Sequence, residues 1–191
     1  DTENACRLIC DYGFTLGGQM MVGLPLSTPA DEVATAQAIC DWGADETRIY
    51  PTVVFEDTLL YRMALNGEYS PLTIEDAVTR CADCMEIFLS RGVKVLRVGL
   101  HASESLASAP FGATHPAMGE LTESEIYRRK ICALIGQARG KRLSVYVNSS
   151  ACSKAAGQHR RNTEFFKNKY GFSSVSVYGT DLPEYTAKIH I

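Results

Sequence analysis

Three short segments of this chain carry side chains that could hold a small ligand. They are Gln19-Met20-Met21-Val22-Gly23-Leu24-Pro25, Arg48-Ile49-Tyr50-Pro51-Thr52 and Arg97-Val98-Gly99-Leu100-His101. Each alternates apolar with polar or small residues, the period of a β-strand. Helix-length segments separate them, which predicts parallel strands of a βα repeat with a ligand pocket at their C-terminal ends. In such a sheet the apolar positions face the covering helices, so the alternate positions face the pocket. Gln19, Met21 and Gly23, then Arg48, Tyr50 and Thr52, then Arg97, Gly99 and His101 accordingly share one polar face. Met20, Val22, Leu24, Ile49, Val53, Leu96, Val98 and Leu100 are expected on the other. A glycine near a strand end lets a ligand approach the backbone. The alternative is that Arg48 and Arg97 pair with carboxylates in a solvated interior.

A second chemistry is offered by thiols and a third by basic side chains. Cys81 and Cys84 form a C-x-x-C, and Cys6 and Cys10 lie four apart. Such a pair does redox or metal work at a helix N-terminus, where the thiol pKa falls. Cys81 and Cys84 instead fall inside a helix expected over 74–90, among Ala, Met, Ile and Phe, so buried reduced thiols are predicted. Residues 128–169 hold eleven Lys/Arg against one acid, Glu164. This density suits phosphate, since each neutralised phosphate releases a counterion. The candidate RNA contacts are Lys154, His159, Arg160, Arg161 and Lys167. Phe165, Phe166 and Tyr170 are interleaved with them and could stack on bases, but their helical spacing predicts core. The competing reading of the charge is docking against the acidic half of the same chain.

These groups must be positioned by 191 residues, 46% of them apolar, enough for one good-sized core or two modest ones. No run of eighteen apolar residues is present, which argues against a membrane span. The chain opens on Asp1 and enters a βα rhythm almost at once, which suggests a piece of a longer protein. Seven cysteines without a secretory signal favour the cytosol. Residues 1–127 carry 7 Lys/Arg against 19 Asp/Glu, and residues 128–191 carry 12 against 3, a split that predicts separate modules. The expected order is a helix over 2–12 with an Ala5, Leu8, Ile9 and Tyr12 stripe, a strand over 18–24, and a helix capped by Thr28. A strand over 46–54, a short helix near 58–65, a long helix after Thr73 and a strand over 93–101 follow. Residues 102–111 read as a linker, and Thr122 with Glu125 as a capping box opening a helix to about 138. The tail then reads β-α-β-β, with strands over 143–148, 174–178 and 186–191 and a helix over 152–170. The predicted fold class is α/β: the C-terminal part of a partial (βα) barrel over 1–102, then a small basic α/β domain over 103–191.

Over residues 13–101 the sequence resembles radical S-adenosylmethionine (SAM) enzymes, in particular the barrel of the Elongator catalytic-subunit family. The resemblance is carried by Gln19-Met20-Met21-Val22-Gly23-Leu24-Pro25, Arg48-Ile49-Tyr50-Pro51-Thr52-Val53-Val54, the Gly67-Glu68-Tyr69-Ser70-Pro71 turn and Arg97-Val98-Gly99-Leu100. His115-Pro116-Ala117-Met118-Gly119-Glu120-Leu121 resembles the tail of shorter bacterial relatives labelled as similar to oxygen-independent coproporphyrinogen III oxidase. The resemblance implies a barrel that binds a 4Fe-4S cluster and SAM for radical chemistry, in the Elongator branch on a wobble uridine of tRNA. Gln19, Met21, Gly23, Tyr50, Thr52, Arg97 and His101 would border the SAM pocket, and tRNA would be the partner of the basic tail. The family holds its cluster with C-x-x-x-C-x-x-C, and no such triplet occurs here. This chain therefore resembles the C-terminal part of such an enzyme, and is expected to be inactive alone, with no cofactor of its own and exposed barrel edges prone to self-association. A non-catalytic RNA- or partner-binding module and a coproporphyrinogen oxidase-like enzyme are the alternatives.

Overall fold

In the computed structural model, which describes residues 1–101 and 103–191 apart from the side chains of Glu104 and Ser105, threonines start three early helices. Helix α1 (Thr2–Asp11) and strand β1 (Gly17–Val22) come first. Thr28 then caps α2 (Pro29–Asp41): its hydroxyl accepts from the Asp31 N–H, and the Asp31 carboxylate accepts in return from the Thr28 N–H at 2.8 Å. After β2 (Glu46–Pro51) and β3 (Val53–Val54), the hydroxyl of Thr58 caps α3 (Leu59–Leu65) by accepting from the Tyr61 N–H, and that of Thr73 caps α4 (Ile74–Ser90) by accepting from the Asp76 N–H. Strand β4 (Lys94–Val98), the short α5 (Glu104–Ala107) and β5 (Phe111–Gly112) follow.

Strands β1, β2 and β4 form a parallel sheet in that spatial order. Helices α2 and α4 pack on it. Met20, Val22 and Ile49 are buried, as are Ile39 of α2 and Cys81, Cys84, Met85 and Phe88 of α4. Each large apolar side chain so buried contributes about 1.5–3 kcal/mol. The alternation of the sequence thus translates into one covered and one open face.

Two positions depart from it. Thr47 pairs with Val95 but Arg48 with Arg97, leaving Leu96 in a β-bulge. Leu96, expected beneath the helices, is consequently 37% exposed, whereas Val98 returns to the covered side. Leu24, expected there too, is exposed because the chain leaves the strand at Gly23, whose φ is +80°. In α1, the Leu8, Ile9 and Tyr12 stripe forms but none of the helix's residues is buried.

The chain divides into two compact units, Asp1–Gly119 and Glu120–Ile191. The division falls later than the 102/103 boundary suggested by composition, and Ala102 itself lies outside the described residues. The physical reason is β5: it pairs antiparallel with β3, drawing the supposed linker into the first unit. Helix α6 (Met118–Ile135) begins before Thr122. His115 starts it instead, its Nδ1 accepting from the Ala117 N–H and its carbonyl from the Met118 N–H. Thr122 is buried within the helix, and Glu125 pairs with Arg128 and Arg129, so the expected capping box does not form.

The second unit continues with β6 (Arg142–Asn148), a 3-10 turn (Ser149–Ala151), α7 (Cys152–Ala156), a second 3-10 turn (Gln158–Arg160), α8 (Arg161–Tyr170), β7 (Ser174–Thr180) and β8 (Ala187–His190). Its sheet has the order β7-β6-β8, with β6 parallel to β7 and antiparallel to β8. Leu143, Val145 and Val147 meet Tyr127, Ile131, Ile135, Phe166 and Phe172 in the core, with Phe165 and Tyr170 packed against it. The largely helical stretch expected over 152–170 forms as two helices, with a break at Gly157, His159 and Arg160, all with positive φ. Among the described residues no helix is long and apolar enough to cross a membrane.

Candidate functional site

Parallel pairing brings Gln19, Arg48 and Arg97 into one row across β1, β2 and β4 on the face opposite the buried side chains. Met21 and Tyr50 form the next row toward the C-terminal ends, with Met21 43% exposed. His101 is exposed beyond the end of β4. An amide, a phenol and two guanidiniums held on rigid strands make a face suited to a polar ligand.

Gly23 and Thr52 sit differently. Both are buried. The Thr52 hydroxyl and N–H both donate to the Val22 carbonyl, at 2.8 and 2.9 Å, tying the segment after β2 to the end of β1. Gly23 donates its N–H to Glu32 Oε1 at 2.6 Å, and its carbonyl accepts from the Tyr69 hydroxyl at 2.6 Å. A β-carbon on Gly23 would lie 2.5 Å from Leu72 Cδ1.

The residues that hold this rim went unassigned in the sequence reading. Glu32 is 2% exposed, and its Oε2 accepts from Arg80 Nε at 2.7 Å, while Arg80 also reaches the Ser27 carbonyl. Glu32 reads in sequence only as a first-turn acid facing the helix dipole, and Arg80 lies far away on α4. The Gly67-Glu68-Tyr69-Ser70-Pro71 turn was a signal for Tyr69. Burial raises the Tyr69 phenol above its ordinary pKa, so it stays protonated and donates.

All seven cysteines are free. Cys81 and Cys84 are fully buried, and burial pushes both thiols up, Cys84 to about 12. They remain neutral packing groups rather than thiolates. Among the described residues no three His, Cys, Asp or Glu side chains gather to hold a metal. The residues present do not fit a 4Fe-4S cluster.

In the second unit, 12 Lys/Arg face 6 Asp/Glu. Much of this charge is engaged. Lys154 pairs with Glu123 at 2.8 Å, Lys167 with Glu164 at 2.8 Å, and Arg128 with Glu125 through two bonds of 2.7 Å. Arg128 also lies over the Phe165 ring, 4.6 Å from its centroid. His159, Arg160 and Arg161 are exposed around the break between α7 and α8.

Residues 44–128 match the family model of the Radical_SAM C-terminal domain. Among curated proteins the chain is 35% identical over 81 residues to tRNA uridine(34) acetyltransferase of Methanocaldococcus jannaschii, covering 41% of this chain and 15% of that protein. It is 31% identical over 74 residues to the protein of the same name from Dehalococcoides mccartyi, covering 37% and 16%. The solved structure of an N-terminally deleted Elp3 from Methanocaldococcus infernus aligns with a TM-score of 0.59 and 25% identity, over 67% of this chain and 30% of that one. The chain thus resembles the C-terminal part of an Elongator-like radical SAM protein, and it spans about 15% of the length of the curated relatives it matches.

Proposed function

We propose that the first unit is the C-terminal part of a SAM-binding partial barrel, and the second a tRNA-binding tail, both working within a longer radical SAM enzyme that modifies tRNA. The observation that carries this reading is the row of Gln19, Arg48 and Arg97 on the open face of a parallel sheet. Guanidiniums and an amide on neighbouring strands suit the carboxylate and hydroxyls of a nucleoside–amino acid cofactor. Gln19, Met21, Tyr50, Arg97 and His101 border the ligand, while Gly23 and Thr52 shape the rim from behind. The 4Fe-4S cluster belongs to the whole enzyme, since the thiols here do not suit it, and this chain alone is inactive. The edges of β1 and β4 supply the backbone groups through which isolated chains would self-associate.

The tail's share of the reading rests on its charge excess and on the relatives, which are named as tRNA uridine(34) acetyltransferases. His159, Arg160 and Arg161 would lead the contact, with Lys154 and Lys167 exchanging their carboxylate partners for phosphates. Two measurements test the function. Saturation-transfer NMR of the longer enzyme with SAM should show transfer to the cofactor that Arg97→Ala and Tyr50→Ala weaken; transfer undiminished in both variants overturns the pocket. A gel shift with tRNA should be salt-dependent and lost in Arg160→Glu/Arg161→Glu; no shift at low salt overturns the tail's role.

A further inference from the structure

The second unit runs strand–helix–turn–helix–strand, through β6, α7, Gly157-Gln158-His159-Arg160, α8 and β7, with β6 and β7 parallel neighbours. KH modules bind RNA with a G-x-x-G turn between two helices, which clamps about four nucleotides of backbone. The turn here begins with the glycine and ends with Arg160, whose φ of +62° keeps the left-handed conformation that a glycine would adopt there.

The turn is fixed from beneath. A β-carbon on Gly157 would come 2.9 Å from the Asn162 nitrogen and 3.2 Å from Ser124 Oγ, so the first position must be glycine. Asn162 is 4% exposed, and its Nδ2 donates to the Ser124 carbonyl, Ser124 Oγ and the Ala155 carbonyl at 2.9, 3.0 and 3.2 Å. Thr163 Oγ1 donates to the Arg160 carbonyl at 2.7 Å. Held this way, His159 and Arg160 are exposed and Gln158 is half-buried. Beside them lies a cleft of about 450 Å³, lined by Glu120, Ser153, Ala156, Gly157, Gln158 and His159. The carboxylate in its lining is engaged, as Glu120 accepts from Gln158 Nε2 at 3.5 Å.

We propose that the turn 157–160 and the adjoining cleft bind the sugar-phosphate backbone of single-stranded RNA. The proposal rests on the tRNA reading of the tail and narrows it to unpaired nucleotides. An exposed imidazole and guanidinium supply the phosphate contacts, and a turn that clamps about four nucleotides of backbone suits an unpaired strand. Charge complementarity favours RNA over an apolar protein segment.

Fluorescence anisotropy of the full chain with labelled oligouridylate, with and without a competing RNA duplex, tests this. The single strand should bind about tenfold more tightly than the duplex, and Gln158→Asp/His159→Asp should lower its affinity about tenfold with an unchanged thermal melt. If the melt shifts, amide chemical-shift changes on titrating the wild-type chain with oligouridylate decide: they should centre on Gln158 and His159. Equal affinity for the duplex, shifts elsewhere, or displacement by polyglutamate as effective as by RNA overturns the proposal. Undiminished tRNA binding by the Gln158/His159 variant overturns the turn alone and leaves the tRNA reading standing; no tRNA binding by the wild-type chain overturns both.

Discussion

Gly23 and Gly157 lead two turns with nearly the same φ, +80° and +77°, and each has a buried polar side chain beneath it. The solutions differ in charge. Under Gly23 the support is ionic: Glu32 takes the glycine N–H with one oxygen and Arg80 with the other. Under Gly157 it is neutral: the Asn162 amide ties Ser124 on α6 to the end of α7. An ionic support is costly to desolvate and brittle once one partner is lost, whereas an amide loses only its own hydrogen bonds. The first unit bears a net of −9 and the second +6, so the neutral support also leaves the cationic turn with no buried counter-charge to dilute it.

Glu32→Ala should be the most damaging change, at about 3–5 kcal/mol, because it strands the Arg80 guanidinium and the Gly23 N–H together. Urea unfolding measures it, and Glu32→Gln should recover part of the loss by restoring an acceptor for Gly23. Asn162→Ala should cost about 1–3 kcal/mol by the same measurement. A cost equal to that of Glu32→Ala would erase the distinction between the two supports. Thr28→Ala, which removes a cap next to the first turn but leaves its buried pair intact, should cost about 1 kcal/mol. Lys167→Ala breaks only an exposed pair with Glu164 and should change the thermal midpoint by the equivalent of at most about 0.5 kcal/mol.

Local chemistry was legible in the sequence where one residue decides. Thr28, Pro29 and Asp31 mark the start of α2, and the alternation through Gln19, Met20, Met21 and Val22 separates the open from the covered face. What escaped depends on partners remote in sequence. Nothing near Glu32 announces Arg80, because their meeting requires α2 and α4 to lie side by side on the sheet. His115 outcompetes Thr122 for the start of α6 because a helix begins at the first residue able to accept its free N–H groups. The break at Gly157 hid inside an otherwise helical pattern, since one glycine is tolerated there and the positive φ of His159 and Arg160 leaves no compositional trace.

Leu96 acts as a phase shift in β4. Val95 and Val98 lie three residues apart yet serve the same side, and the parity of the strand reverses between them. The bulge, rather than the identity of residue 96, places Arg97 beside Arg48. Removing Leu96 would close the bulge into an unbroken ladder with Arg97 still beside Arg48. Straightening the strand with Leu96 kept would instead set Leu96 opposite Arg48 and turn every later side chain to the other face.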